Sequence, residues 1–372
     1  MVTIKEVKTR KDIKEFINFP LELYKGNPCF VPPLYGDEKA IFKNDTVYSD
    51  QAESVFYLAV EDGKTVGRIQ GILQRVSNEK WNQKRVRFTR FDSIDRQDVA
   101  DALFGAIEAW AKQRNMEEIV GPLGYSDLDR EGLLIEGFEH IATFEEQYNY
   151  EYYAKLIENV GFKKEVDWLE SKLYAPDQID PRVHDISTKM MEKYGLHFDE
   201  TKTAAEFVKK YGDGFFEVLD TTYVEIYQSV PFTEKMKRNL ISSFRLVVNV
   251  KYATVILDKN EKIVGFALAF PPIGKDLVKT KGKLTPRTLI KLLKTIKNPK
   301  TLDLALIGVI PEYRNKAIAT AIVDRMHKML TEGGIEYAET NLNLETNAQI
   351  LNLWKSFKVV QHKRRRSFVK KI

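Results

Sequence analysis

The chain has 372 residues, a net charge of +5, 43% hydrophobic residues and 30% charged ones. Its length exceeds one ordinary core and favours two domains, while the mild charge gives no reason to invoke a nucleic-acid partner. A single cysteine, Cys29, excludes an internal disulfide. With an N-terminus that lacks an apolar signal region and no run of membrane-spanning length, this points to a cytoplasmic protein.

YLAVEDGKTVGRIQGI (57–72) alternates apolar and polar positions around Asp62-Gly63, the pattern of a β-hairpin. RVRFTRFDSI (85–94) reads as a strand. Residues 96–115 have helical spacing, with Leu103, Ile107, Trp110 and Ala111 on one face. A strand at 117–122 and a helix at 150–162 follow. Between them lies GPLGYSDLDREGLLIEGF (121–138), long for a loop in a compact domain. It suggests an acceptor pocket in which Tyr125, Asp127 and Asp129 read an amine; the plainer alternative is a structural loop turning at its glycines. Its Asp-x-Asp-x-Glu run lacks a full calcium-loop pattern, and no Cys/His cluster supports zinc, so no metal site is expected. A linker is expected at YAPDQIDPR (174–182), giving domains at 1–174 and 183–372.

The second half repeats this order. ATVILDKNEKIVGFALAF (253–270) reads as a hairpin around Lys259-Asn260, and Val264-Gly265 stands where the first hairpin has Val66-Gly67. A basic insertion at 273–300 holds eight Lys, one Arg and one Asp. Within it Thr285 and Pro286 make a helix start, and Leu289, Ile290, Leu292, Leu293 and Ile296 then interleave with Lys291, Lys294 and Lys297. Next come a strand (302–310), a helix (316–332), a strand (335–342) and a helix (347–357).

Strand pair, strand, helix, strand, helix resembles the GNAT acyltransferase superfamily. LIGVIPEYRNKAIATAIVDRM, followed by NLETNAQILNLWKSF, carries the likeness in the second half. Over the whole chain, FVPPLYGDE, GPLGYSDLDREGLLIEGF, YNYEYYAKLIENVGF and GVIPEYRNKAI resemble large bacterial tandem GNAT-like proteins. The resemblance implies an α/β fold (an α+β mixed sheet) of two tandem GNAT-like domains, each a mixed, splayed sheet flanked by helices. It also implies an acyl-CoA-dependent N-acyltransferase, with acetyl-CoA as the default co-substrate and a small-molecule or peptide amine as acceptor.

The family's phosphate loop, Arg/Gln-x-x-Gly-x-Gly/Ala at a helix start, falls on Arg314, Asn315, Lys316, Ala317, Ile318 and Ala319. A helix N-terminus offers unpaired N–H groups and partial positive charge to a pyrophosphate. Glycine there permits positive φ and close approach; Ala317 stands where the family has that glycine. The resemblance further implies a carbonyl-polarising backbone N–H at Val309, beside Gly308. The family pattern Asn-x-x-x-x-x-Leu-Tyr matches Asn347 to Leu353-Trp354, which assigns Asn347 to the cofactor. Trp cannot replace the tyrosine as proton source for the thiolate, so the usual helper is absent or replaced by another residue such as Tyr313.

Base candidates are Glu339, on the strand beside the splay, and Glu345, just after it. The favoured expectation for each is a solvated or salt-bridged carboxylate. His327 is expected on the surface of its helix. In the first half Asp92, Asp95, Asp98 and Asp101 crowd the equivalent helix start, where they suit N-caps but repel a pyrophosphate. The first half is therefore expected to bind no CoA and to serve as scaffold or acceptor site. The basic insertion suits CoA phosphates, an anionic acceptor, RNA or a membrane surface; the favoured expectation is a helix packed on the sheet with a solvated lysine face. Two alternatives stand beside the enzyme reading. One is a catalytically inactive GNAT-fold binding protein, suggested by Ala317 and Trp354. The other is an aminoacyl-tRNA-dependent transferase whose insertion and tail, HKRRRSFVKK (362–371), grip RNA; otherwise the tail is simply the last strand.

Overall fold

The computed structural model describes residues 1–314 and 316–372, with the backbone only at 213 and 244–247. The first half runs β1 (Thr3–Glu6), α1 (Arg10–Leu23), α2 (Tyr35–Ala40), β2 (Ala52–Glu61), β3 (Lys64–Gln74), α3 (Arg75–Lys80) and β4 (Arg85–Ser93). It continues through α4 (Gln97–Lys112), β5 (Glu118–Gly121), β6 (Leu133–Glu136), α5 (Tyr152–Asn159) and β7 (Lys163–Tyr174). The second half begins with α6 (Pro181–Tyr194), β8 (His197–Phe198), α7 (Ala204–Thr222), α8 (Glu234–Val247), β9 (Ala253–Leu257) and β10 (Ile263–Phe270). After α9 (Gly274–Val278) and α10 (Pro286–Lys297) come β11 (Thr301–Val309), α11 (Ile318–Glu332), β12 (Tyr337–Thr340) and β13 (Asn343–Leu344). The chain ends with α12 (Ala348–Trp354) and β14 (Lys358–Lys371).

Each expected strand and helix is present within a few residues. The first hairpin turns at Asp62 and Gly63, both at positive φ, as the Asp-Gly pair requires. The second turns with Glu261, not Asn260, at positive φ.

The strands form one sheet in the order β1-β2-β3-β4-β5-β14-β7-β12-β11-β10-β9-β8. The two halves exchange their last strands. β14 pairs with β5 of the first half, while β7 pairs with β12 of the second. The exchanged strands also pair antiparallel with each other, from Lys358 opposite Tyr174 to Val369 opposite Lys163. The basic tail is thus a strand, as expected, but at the centre of the sheet.

Three apolar layers cover the sheet. Leu103, Phe104 and Ile107 of α4 pack on Val86 and Phe88. Ile318, Ile322 and Met326 of α11 pack on Val264 and Leu302, with Trp354 of α12. On the opposite face of the second half, Phe215, Phe216 and Leu219 of α7 pack on Phe266 and Leu268.

Both halves contain a parallel pair that splays. The β4–β5 ladder stops at Arg87 opposite Val120, and the β11–β12 ladder at Leu304 opposite Thr340. In β11 a bulge at Ala305 follows, because Leu304 faces Ala269 while Leu306 faces Leu268.

Candidate functional site

β11 is an interior strand, yet Asp303, Leu304, Ala305, Ile307, Gly308 and Val309 are half-exposed; its neighbour β10 is buried throughout. The exposure marks an open cleft where β11 and β12 part. Ile310 donates its N–H to Val264 O on the β10 side. Strand alternation then turns the N–H of Val309 toward the cleft. Tyr223, just after α7, reaches the same edge: its hydroxyl donates to Ile307 O at 3.3 Å and accepts Ile307 N–H at 3.2 Å.

β11 leads into a single 3-10 turn, Pro311–Tyr313, and then into α11. Ala317 is the N-cap of α11, with φ 56° and ψ 21° and no side-chain cap bond. The left-handed conformation that glycine would take is therefore kept with alanine, at a cost of roughly 1 kcal/mol. Among the described residues no partner meets the N–H groups of Ala317, Ile318 and Ala319, as expected in a first helical turn. Arg314 Nε donates to Val309 O at 3.2 Å. Lys316 Nζ lies 4.6 Å from the Tyr313 ring centre and 5.1 Å from that of Tyr194, which holds its charge beside the turn. Asn315 lies outside the described residues. Ala317→Gly is expected to raise the urea midpoint, by roughly 0.5 kcal/mol of stability once glycine's extra chain entropy is subtracted; an unchanged or lower midpoint would show that the turn carries no strain.

The carboxylates are arranged differently from expectation. Glu339 is not at the surface. It is buried on β12, 2.9 Å from His362 Nε2 and 2.7 Å from Lys363 Nζ. Burial pushes its carboxyl up, but His362 and Lys363 outweigh burial and hold the pKa down to about 2. So acidic a group is a poor proton acceptor. Lys363 also sits 2.6 Å from Glu170, its partner in the β7–β14 register, and Arg365 Nε binds Glu170 at 2.6 Å. Glu345 is an ordinary ion pair with Lys164, at 2.6 Å.

Another acid, Asp303, lies opposite Glu339 in the parallel register, one residue before the β11–β12 ladder ends. Burial first, then Glu339 and Glu145, drives its carboxyl well above the usual range. Burial likewise lifts Glu145, to about 7. Sequence reading missed Asp303, although an acid inside the apolar strand LDLALIGV was a signal. Tyr223 was missed because α7 itself was not recognised.

Other expected residues have structural work. Asn347 caps α12, its side chain accepting Ile350 N–H at 3.2 Å. Trp354 is buried, with Nε1 donating to Asn343 at 2.8 Å. His327 is buried, not on the helix surface: its Nε2 meets Ser356 O at 3.0 Å, and its ring packs on Phe357. In the long loop, Tyr125 is buried against Gln70 and Ser54 and stacks on Tyr48. Asp129 accepts the N–H groups of Tyr125 and Ser126 and the Tyr48 hydroxyl, and so fixes its own loop. Asp127, by contrast, lies beside Val230 of the second half, and burial pushes its pKa up to about 6. Next to it Leu128 packs against the Phe215 and Phe266 cluster.

The equivalent splay in the first half is closed. β4 is buried except at Arg85 and Arg90, and Leu123 N–H donates to Phe88 O across the mouth. Asp98 lies in the first turn of α4 and pairs with Arg96. Asp92 is buried against Arg68 and Tyr24, and the N-cap of α4 is Arg96, with no side-chain cap bond.

No family model matches the chain. It is 26% identical over 372 residues to protein YghO of Escherichia coli, covering 98% of this chain and 94% of that protein. It is 24% identical over 315 residues to a bacterial ceramide synthase of Caulobacter vibrioides, covering 83% of this chain and 80% of that protein. Among solved structures, a tandem GNAT protein from the clavulanic acid biosynthesis pathway superposes with a TM-score of 0.57 at 11% identity, covering 100% of this chain and 98% of that one. With its repeated element order and its splayed mixed sheet flanked by helices, the chain has the tandem GNAT fold.

Proposed function

We propose that the chain is an acyl-CoA-dependent N-acyltransferase acting on an amine in the cytoplasm, with the second copy (183–372) holding the thioester and the first (1–174) serving as scaffold and acceptor wall. The observation that carries this reading is the contrast between the two splays. One is open and runs into a helix start with left-handed Ala317; the other is closed by its own backbone. The N–H groups at 317–319, with Arg314 and Lys316, suit a pyrophosphate. The half-exposed edge of β11, where the Tyr223 hydroxyl now occupies the Ile307 N–H and carbonyl, suits the amide-bearing arm of a CoA thioester once that hydroxyl gives way, and Val309 N–H suits the developing oxyanion. Asp303 is the group we assign to take the amine proton, and the Tyr223 hydroxyl, at the same edge, the one to protonate the departing thiolate. Asp127, the acid of the long loop that reaches the second half, is assigned to the acceptor side. The ceramide synthase relative is consistent with this chemistry, because a ceramide is an amide.

The test is calorimetric titration with acetyl-CoA and with longer acyl-CoAs, for the native chain and for Arg314→Ala/Lys316→Ala. The expected result is micromolar binding, weakened by about tenfold or more in the variant. No binding of any acyl-CoA would remove the enzyme reading. Binding without turnover on any amine would leave an inactive binding protein.

A further inference from the structure

The basic insertion does not pack as its sequence suggests. In α10 only Thr288 and Leu292 are buried. Leu289 is 43% exposed, Ile290 57% and Leu293 65%, and Leu284, just before the helix, is 44% exposed. Leu289 and Leu293 stand one turn apart with Ile290 beside them, so they form an apolar ridge on the outer side of the helix. Arg287, Lys291 and Lys294 follow along one flank of that ridge, and Lys297 extends it. Among the described residues no acidic side chain pairs with Lys279, Arg287, Lys291, Lys294 or Lys297. The segment's one acid, Asp276, is engaged by the Thr295 hydroxyl at 2.6 Å. An open groove of about 600 Å³ between α9 and α10 is lined by Lys279, Arg287 and Lys291, with Thr280, Thr285, Pro286 and Thr288, and by the one carboxylate of Asp276.

An exposed leucine ridge costs free energy in water, and a flanking row of unpaired cations makes a protein partner of ordinary polarity a poor fit. A surface that is apolar at depth and anionic at its rim matches both features at once. We propose that α10 docks the protein on an anionic lipid bilayer. Leu284, Leu289, Ile290 and Leu293 enter the headgroup–acyl boundary, Arg287, Lys291 and Lys294 meet lipid phosphates, and the groove beside them receives a headgroup. The helix lies in the interface and does not cross it: among the described residues no helix is long and apolar enough to span a membrane. Only Asn298, Pro299 and Lys300 separate α10 from β11, so docking holds the N-terminal end of β11 near the bilayer. The inference does not depend on catalysis.

The test is co-sedimentation of the full chain with vesicles of phosphatidylcholine alone and of equimolar phosphatidylcholine and phosphatidylglycerol. Two variants are compared, Leu289→Ser/Ile290→Ser/Leu293→Ser and Arg287→Gln/Lys291→Gln/Lys294→Gln. All six side chains are exposed, so thermal unfolding should match the native chain and serves as the folding control. The expected result is binding to anionic vesicles only, lost in the serine variant even at low salt and about a hundredfold weaker in the glutamine variant. Absence of vesicle binding overturns the proposal. So does binding that the serine variant retains, which would mark a purely ionic surface of the kind that grips RNA. A dimer in sedimentation velocity that the serine variant disperses, without vesicle binding, would instead assign the ridge to a second copy.

Discussion

Replacing Lys363 with methionine is expected to lower stability by about 3–5 kcal/mol, the usual cost of removing one partner from a buried ion pair. The lysine is fully buried between Glu170 and Glu339, on β14 at the seam where the halves exchange strands. Without it Glu339 keeps only His362, and Glu170 keeps Arg365. The loss should be pH-dependent. In the native chain the Glu339 pKa is held at about 2, below its ordinary value, so its contribution is present above the unfolded carboxyl pKa and lost as pH falls toward 2. In the variant burial acts with less opposition, the folded pKa rises, and the contribution instead disappears as pH rises. The stability gap between the two proteins should therefore narrow as pH is lowered from about 7 to about 5. Urea unfolding across that range reads it directly. A gap under about 1 kcal/mol, or one that ignores pH, would mean the cluster does not hold the seam.

The second large effect is catalytic. Asp303→Asn is expected to reduce kcat by about 10²- to 10⁴-fold, the range for loss of a positioned base, while acyl-CoA affinity changes little. The Asp303 pKa is raised, and a base acts only when ionised. The native rate should therefore climb as pH passes through that raised pKa, and the variant should lose the limb. Full activity in the variant, or an unchanged pH limb, would assign the proton to another group; Asp127, with a pKa of about 6, is the next carboxyl to replace.

The first half also explains why resemblance to a family does not transfer evenly to both copies. Phe88 and Leu123 close its splay by a main-chain bond, and Arg68 and Tyr24 consume Asp92. Its acids were expected to repel a pyrophosphate from a helix start. The structure adds a main-chain bond from Leu123 to Phe88 across that splay.

The two hairpins, the strands that follow them and the helices α4, α5, α10, α11 and α12 were legible in the sequence because their signals are local. Alternation at 57–72, the Leu103, Ile107 and Trp110 stripe, and the Thr285-Pro286 start depend on residues a few positions apart. The strand–turn–helix order at 302–332 was legible for the same reason, while the left-handed φ of Ala317 came only with the structure. What tertiary structure alone decided depends on partners far apart in the chain. The exchange of β7 and β14 pairs residues nearly two hundred positions apart, and no local period records which half a strand will join. Burial of Glu339 and His327 follows from that exchange and from helix packing, so their polarity alone misplaced them at the surface. The amphipathic pattern of α10 was plain, but a period of 3.6 cannot say which residues a neighbouring surface covers. The fold buries Thr288 and Leu292, packs Ile296 against Ile273 and Leu277, and leaves Leu289, Ile290 and Leu293 exposed.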